Sequence, residues 1–314
     1  MSLSIGVDIG GTKIAAGVVS ERGEIVAEST RETPATDPHL IVEAAVALVR
    51  ELRAQHDIQA VGIGAAGFVD AHRSTVLFAP NINWINEPLA KLVGDHMDAK
   101  VIVENDANAA AWGEFQFGAG EDVDDLLLVT VGTGIGGGLV HDGALYRGGF
   151  GIAAEIGHMR VVPGGSQCGC GQQGCWEKYG SGSALVRDAM KRIHAGDRAA
   201  RALRDRMGAD ASDVHGSVIT ELAEGGDTFC IELLAGVGVW LGEGIASLAA
   251  VLDPTVVVIG GGVAEAGPLI LEPARDAFER TLSAPEHRPH AELRLATLGN
   301  RAGLIGAADL ARRV

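Results

Sequence analysis

One segment of this chain concentrates the residues that can bind a metal ion. His158 is followed by three of the four cysteines, Cys168, Cys170 and Cys175. Three thiolates and one imidazole can surround one tetrahedral ion, and soft sulfur ligands favour zinc. Four protein ligands are typical of a closed structural site, so we predict structural zinc on these four residues. The alternative is a set of free, partly buried thiols, which is what we expect of Cys230 in its apolar segment.

Two carboxylates flank this predicted metal segment. Glu155 lies three residues before His158, on the same face if the segment is helical. Glu177 lies two residues after the last cysteine of the cluster, so a bound metal would fix its position. Carboxylates and amides bind sugar hydroxyls in defined directions. Asn81 and Asn83 are further candidates, although a plain turn explains them as well.

Three glycine-rich turns follow apolar segments, at 10–12, 132–138 and 260–262. Glycines let backbone N–H groups approach an anion, and in D-I-G-G-T-K at 8–13 a hydroxyl and a lysine are added. Asp8 could hold Mg²⁺ through water. The spacing fits neither the Walker loop nor the dinucleotide-binding fingerprint, and a β-hairpin with an ordinary lysine is the alternative. The three turns together favour a divided nucleotide site.

The motif E-N-D-A-N at 104–108 lies where a predicted strand gives way to a predicted helix. Helix capping explains an aspartate at this junction, because Asn and Asp are preferred N-cap residues. The functional interpretation requires a carboxylate at the carboxyl end of a strand, where ligands gather in open α/β sheets. Asp106 could then accept the proton of a sugar hydroxyl that attacks a γ-phosphorus.

These residues are carried by alternating strands and helices, which predict an α/β fold. We predict strands at 4–9, 14–19, 23–31, 60–64, 100–103, 126–131, 255–259 and 293–298, and helices at 39–56, 107–115, 183–193, 228–250 and 302–313. The segment 11–19 aligns with 132–140 at five identical positions of nine. The match is either chance or an indication of two halves that each open with strand, glycine turn and strand, facing each other across a cleft.

Composition narrows the possible functions. The 314 residues are 47% hydrophobic, which predicts a folded chain of two domains. A net charge of −16 disfavours general binding to nucleic acid or anionic membranes. The apolar stretch at 235–252 contains Glu243 and glycines, so we predict a buried helix and no membrane span. The N-terminus lacks the pattern of an export signal, and clustered thiols suit a reducing compartment, so a cytoplasmic protein is expected.

With these motifs, the chain closely resembles the ROK family of bacterial sugar kinases and repressors, within the actin-like ATPase superfamily. The matching motifs are D-I-G-G-T-K at 8–13, G-A-A-G-F-V-D at 64–70, E-N-D-A-N at 104–108, G-T-G-I-G-G-G at 132–138, E-I-G-H at 155–158, C-G-C-G-Q-Q-G-C-W-E at 168–177 and I-G-G-G at 259–262. The cysteine motif joined to E-x-x-H is specific, whereas the first glycine turn alone is not. Within the family, the combination resembles the zinc-containing, ATP-dependent glucokinases most.

The resemblance implies a two-lobed actin-like ATPase fold with a central cleft. It implies a small α/β lobe of residues 1–110, to which 301–314 return, and a large lobe of residues 111–300 that contains the zinc site. Homo-oligomers, dimers or tetramers, are common in such a family. Repressors of the family usually carry an N-terminal helix-turn-helix; here the first motif begins at residue 8, so none is expected.

The resemblance also implies the roles of the site residues. Asp106 would be the general base for the 6-hydroxyl of glucose, and His158 would serve both metal and sugar. The sugar would be bound by Gly67, Asn81, Asn105, Asp106, Glu155, His158 and Glu177. ATP with Mg²⁺ would be bound by Asp8, Gly10, Gly11, Thr12, Lys13, Gly132, Thr133, Gly134, Gly260, Gly261 and Gly262, the last turn near the adenosine.

Some questions stay open at the level of sequence. Many relatives have proline where Ala66 stands, so the contacts of Gly67 are less constrained. Fructose, mannose or N-acetylmannosamine could replace glucose, because hydroxyl preference depends on fine pocket geometry. Polyphosphate could replace ATP, although no basic cluster suited to a long polyanion accompanies the glycine turns. A non-catalytic sugar sensor that kept the pocket is the alternative outside enzymes.

Overall fold

The computed structural model describes residues 2–34, 37–79, 82–207 and 214–313. The chain divides into two compact units. The first contains residues 1–128, 137–154 and 297–314, and the second contains residues 129–136 and 155–296. These bounds differ from the predicted boundary at residue 110, because that position lies inside a helix, Asp106–Phe117, which belongs as a whole to the first unit.

The elements follow the alternation expected of an α/β chain. The first part contains β1 (Leu3–Ile9), β2 (Lys13–Val19), β3 (Ile25–Glu32), α1 (Pro38–Arg53), β4 (Ile58–Ala65), β5 (Phe68–Val69), β6 (Val76–Ala79), β7 (Trp84–Glu87), α2 (Leu89–Gly94), β8 (Lys100–Asn105) and α3 (Asp106–Phe117). The rest contains β9 (Leu126–Val131), β10 (Ile135–His141), β11 (Ala144–Tyr146), α4 (Glu177–Gly180), α5 (Gly182–His194), α6 (Arg201–Met207), α7 (Gly216–Glu224), α8 (Thr228–Leu252), β12 (Val256–Gly260), α9 (Pro268–Thr281), β13 (Glu292–Leu295) and α10 (Ala302–Arg313).

The sheet of the first unit brings three strand ends to one level. Its order is β3-β2-β1-β4-β8, with β1, β4 and β8 parallel. In the register of these strands, Asp8 pairs with Gly64, and Gly64 pairs with Glu104. The carboxyl ends of β1 and β8 therefore lie at the same edge, and residues that follow them share it.

The last helix, α10, lies directly on this sheet. A Cβ added at Gly6 would lie 1.9 Å from the carbonyl oxygen of Leu304, and one added at Gly62 would lie 1.8 Å from that of Ala307. Such distances leave no room for any side chain, so the backbones of β1 and β4 touch α10. The first turn of α10 thereby comes to the strand ends that carry Asp8 and Asp106.

A second five-stranded sheet has the order β11-β10-β9-β12-β13, with β12 and β13 parallel. Helix α8, in the second unit, is the one helix within the described ranges that is long and apolar enough to cross a membrane. More than half of its most apolar stretch is buried, and Gly238 and Gly242 approach the backbone of α9 closely. The predicted buried helix at 235–252 is thus the second part of a core helix.

Candidate functional site

At the junction of β8 and α3, the residue that caps the helix and the candidate general base are different residues. Asn105 is the N-cap, because its Oδ1 accepts a hydrogen bond from the backbone N–H of Asn108 at 3.0 Å. Asp106 is the first residue of the helix, and its Oδ1 accepts from the N–H of Ala107 at 2.9 Å. The alternative that Asp106 is the capping residue is wrong. Burial raises the pKa of Asp106 despite its hydrogen bonds.

Asp8 at the end of β1 lies close to Asp106. A Cβ added at Gly303, in the first turn of α10, would lie 3.9 Å from Cγ of Asp8 and 3.7 Å from the carbonyl oxygen of Asp106. Burial, reinforced by the charge of Asp106, raises the pKa of Asp8 to about 6, and Lys13 opposes that rise. Two carboxylates and one ammonium group at one strand edge suit a hydrated divalent cation and a phosphate.

The first glycine turn is a tight hairpin whose outer face is open. The N–H of Gly10 donates to the carbonyl of Lys13 at 3.0 Å, and Thr33 Oγ1 donates to the carbonyl of Gly10 at 2.7 Å. A Cβ at Gly11 would meet nothing within 4 Å, and Gly11, Thr12 and Lys13 are exposed. The hairpin alternative describes the backbone correctly, and its open face can still receive an anion.

Gly67 lies in a loop that is held by the N-cap residue of α3. Its carbonyl accepts a hydrogen bond from Nδ2 of Asn105 at 3.1 Å. Its φ is +106°, and a Cβ there would lie 2.4 Å from the carbonyl oxygen of Phe78, so only glycine fits. The structure brings Gly67 and Asn105 together, as the predicted sugar site requires. Asn81 lies outside the described residues, and Asn83 has the turn conformation, with φ +55°.

In the second unit the four predicted metal ligands come together. The ligand atoms of His158, Cys168, Cys170 and Cys175 all lie within 4.8 Å of one another. Nδ1 of His158 is 3.7 Å from Sγ of Cys168, and the Sγ atoms of Cys170 and Cys175 are 3.6 Å apart. A tetrahedral zinc with Zn–S bonds of about 2.3 Å separates its ligands by about 3.5–3.8 Å. The donor set and its spacing therefore fit structural zinc.

The thiols of this cluster differ in acidity. Burial raises the pKa of Cys168 and of Cys175. At Cys170 burial acts in the same direction, but hydrogen bonds, the first from the backbone N–H of Gln172, outweigh it and lower the pKa. A metal that binds all three must displace their protons, so its affinity falls as the pH is lowered.

Glu177 lies at the junction of the metal cluster and the second glycine turn. Sγ of Cys168 donates to Oε1 of Glu177 at 3.0 Å. A Cβ added at Gly134 would lie 2.6 Å from Oε2 of the same carboxylate. Nearby, the N–H of His158 donates to the carbonyl of Glu155 at 3.1 Å, in a short 3₁₀ turn, Ile156–His158, rather than an α-helix. The cluster thus holds the Glu177 carboxylate beside the second glycine turn, and His158 holds the backbone of Glu155.

The second and third glycine turns line one cavity of about 800 Å³ in the second unit. The N–H of Gly182 donates to the carbonyl of Gly132 at 2.8 Å, and Ser183 Oγ donates to that of Thr133 at 2.7 Å, which places the start of α5 beside the second turn. At Gly261, φ is +85°, and a Cβ would lie 2.6 Å from the carbonyl oxygen of Val131. The volume is in the range of small-molecule sites.

Several lining residues of this cavity were not predicted from sequence. They belong mainly to α5, α7 and the segment after β12: Ser183, Leu185, Val186, Arg187, Val214, His215, Ser217, Thr220, Glu221, Glu224, Val263 and Glu265. These helices have ordinary amphipathic patterns, and no motif distinguishes the cavity-lining side chains from solvent-exposed ones. Only the short loop S-G-S at 181–183 carried a signal, as glycine next to potential cap residues.

The family model described as the ROK family matches residues 4–314. The chain belongs to the ROK family. This ROK protein is 48% identical over 312 residues to a glucokinase of Streptomyces coelicolor. The aligned region covers 99% of this chain and 98% of the relative.

Solved structures of ROK sugar kinases are also similar to this chain. The ROK family glucokinase of Streptomyces griseus, in complex with glucose and AMPPNP, has a TM-score of 0.93 and 50% identity, and the match covers 100% of both chains. The ROK hexokinase of Thermus thermophilus has a TM-score of 0.81 and 35% identity over 99% of this chain and 98% of its own. These likenesses confirm the predicted α/β fold of the actin-like ATPase type.

Proposed function

We propose that this ROK protein is a glucokinase that transfers the γ-phosphoryl group of ATP to the 6-hydroxyl of glucose. The observation that carries this proposal is the match over both whole chains to a ROK glucokinase whose structure contains glucose and AMPPNP. The glucokinase relative at 48% identity supports the same activity. We further propose a cytoplasmic homo-oligomer that binds neither nucleic acid nor membranes, in keeping with its net charge of −16.

In the first unit, Asp106 acts as the general base. It sits at the carboxyl end of β8, and burial raises its pKa toward the operating range of a base near neutrality. Asn105, Gly67 and Asn81 bind sugar hydroxyls. The turn of Gly10, Gly11, Thr12 and Lys13 binds phosphate oxygens, and Asp8 orients the hydration shell of Mg²⁺. When bound, Mg²⁺ neutralises charge on the transferring phosphoryl group.

In the second unit, Glu155, His158 and Glu177 bind the remaining sugar hydroxyls. His158 presents Nδ1 to the cysteine cluster, which leaves Nε2 for a hydroxyl. Zinc on His158, Cys168, Cys170 and Cys175 would supply order and no reaction step. The turns 132–134 and 260–262 bind the nucleotide, with the adenosine in the cavity that both turns line.

The decisive experiment is a coupled assay of ADP release over several hexoses and phosphate donors, with zinc quantified on the same sample. We expect glucose with ATP and Mg²⁺ to give the highest kcat/KM, and about one zinc per chain. A higher kcat/KM with fructose, mannose or N-acetylmannosamine would reassign the substrate within the hexose kinases. The absence of ADP release with every hexose would favour a sugar sensor that binds without turnover.

A further inference from the structure

A buried carboxylate next to the proposed base has no role in the reaction described above. Glu104 lies in β8, two residues before Asp106, and is fully buried. Its Oε2 is 2.9 Å from Nε of Arg73 and 2.8 Å from Nε of Arg147. A buried carboxylate stays charged only when it is paired, and here two guanidinium groups pair with it.

Arg147 connects Glu104 to a separate loop of the first unit. While its Nε contacts Glu104, its Nη1 donates to the carbonyl of Ala71 at 3.0 Å and its Nη2 to that of Asp70 at 2.9 Å. The side chain is 11% exposed. All three nitrogen atoms of one planar group are thus used on two segments, and a lysine has no geometry that could replace them.

Arg73 reaches Glu104 from the same loop in an unfavourable backbone conformation. Its φ is +57°, in the left-handed region that non-glycine residues seldom occupy. Its carbonyl accepts a hydrogen bond from the N–H of Val103 at 2.8 Å, so the loop also contacts β8 through the backbone. The ion pair with Glu104 gives this side chain a function that glycine at the same position would lack.

The same carboxylate holds the residues that begin α3. Oε1 of Glu104 accepts from the backbone N–H of Asn105 at 3.0 Å and from Nδ2 of Asn108 at 3.2 Å. Asn105 in turn caps α3 and holds the carbonyl of Gly67. The arginine pair, the start of α3 and the loop of Gly67 are therefore one connected network, and Asp106 lies at its end.

We propose that Glu104 and Arg147 are positioning residues for phosphoryl transfer. Through Asn105 they set the place of the Asp106 carboxylate and of the Gly67 carbonyl, although neither contacts a substrate. This inference rests on the proposed function. Weakening these contacts should therefore impair both sugar binding and proton transfer. A displacement of a reacting group by about 1 Å can lower the rate by about 100-fold.

The test compares Arg147→Lys with a matched control in the same unit, Arg312→Lys. Arg312 is 9% exposed, and it also bonds a buried carboxylate, Asp309, at 2.9 Å and a backbone carbonyl, that of Val19, at 3.0 Å. Both variants keep the positive charge and lose the planar set of N–H donors of the guanidinium group. We expect Arg147→Lys to raise the KM for glucose and lower kcat, reducing kcat/KM by about 10- to 100-fold. The KM for ATP should change by less than about two-fold.

Arg312→Lys should lower the thermal unfolding temperature to a similar extent and leave all three kinetic constants unchanged. If both variants show the same kinetics as the unmodified protein, or the same losses in every constant, the positioning role is wrong.

Glu104→Gln is the second variant. It keeps the shape of the carboxylate and should reproduce the selective loss, and normal kinetics in this variant would also overturn the proposal. Failure of the unmodified protein to phosphorylate any hexose would instead overturn the proposed function.

Discussion

At the scale of residues, the E-N-D motif separates three tasks over three consecutive positions. Glu104 is buried in the ion-pair network, Asn105 is the N-cap of α3, and Asp106 is the first residue of the helix, where its carboxylate accepts from the N–H of Ala107. The sequence alone offered Asp106 two roles, because a cap and a base are both expected at the end of a strand. Which asparagine or aspartate is the cap depends on backbone angles that residue types do not specify.

We predict that Asp106→Asn abolishes turnover while leaving the fold intact. The amide has nearly the same shape as the carboxylate but cannot accept the proton of the hydroxyl, so kcat should fall by about 10²–10⁴-fold. Zinc content and glucose affinity, measured by metal analysis and calorimetry, should stay close to those of the unmodified protein. Near-normal kcat in this variant would remove Asp106 from the role of base.

The raised pKa values predict loss of activity on the acid side. A base works only when deprotonated, so a pKa above its ordinary value moves the loss to higher pH. In the proposed function, Asp8, with a pKa raised to about 6, must also be charged to attract Mg²⁺. We expect kcat/KM to fall by about ten-fold per pH unit below about pH 6. Circular dichroism at each pH checks that the protein stays folded, and an unchanged kcat/KM down to pH 4.5 would contradict the prediction.

At the scale of elements, the segment from Glu155 to Glu177 has little regular structure of its own. It contains a short 3₁₀ turn and isolated bridges, such as that between Arg160 and Cys175, before α4 begins at Glu177. Its backbone hydrogen bonds close short turns, and a metal on His158, Cys168, Cys170 and Cys175 would tie these turns together. The cysteine spacing made this cluster predictable, because ligand types and distances are local properties of the sequence.

We predict that Cys175→Ser releases zinc and raises the KM for glucose by at least about ten-fold, because Glu177 loses its anchor. The matched control is Cys230→Ser, which replaces an equally buried thiol in α8 of the same unit. The control should keep about one zinc per chain and an unchanged KM. Normal glucose binding by the zinc-free variant would show that the metal does not organise the sugar site.

The contact of α8 with α9 predicts opposite effects for two glycines of one helix. A Cβ at Gly242 would lie 2.2 Å from the carbonyl oxygen of Ala274, so Gly242→Ala should destabilise the protein by about 1–3 kcal/mol. Gly236 is exposed and has nothing within 4 Å, so Gly236→Ala should stabilise it by about 0.5–1 kcal/mol through helix propensity. Equal effects in denaturant unfolding would mean that α8 and α9 do not pack as described.

At the scale of the whole molecule, the α/β class could be predicted because strands and helices differ in periodicity over short windows. The division into units could not be placed correctly from such windows. The family resemblance implies that 301–314 return to the first lobe, but residues 137–154 join the first unit through contacts distant in sequence that no short window contains. The cavity of the second unit and the Glu104 network were not predicted for the same reason, since each is assembled from segments that are separated in the sequence.

The charge of the molecule predicts which phosphate donor it uses. The net charge is −16. Among the described residues, the charged side chains that line the cavity of the second unit are one arginine, Arg187, and three glutamates, Glu221, Glu224 and Glu265. A long polyphosphate is repelled by this field along its whole length, whereas ATP with Mg²⁺ carries only a few charges. We therefore expect kcat/KM for ATP to exceed that for polyphosphate by on the order of 100-fold at low salt.

The salt dependence of the rates distinguishes electrostatic repulsion of polyphosphate from a poor steric fit. The screening length falls from about 30 Å at 0.01 M to about 8 Å at 0.15 M, so the disadvantage of polyphosphate should shrink as salt is added. The assay measures initial rates with both donors across this range, in chloride salts, so that no sulfate competes with phosphate groups for the glycine turns. A preference for ATP that does not change with salt would assign donor choice to the shape of the nucleotide cavity, and comparable rates with both donors would refute the prediction.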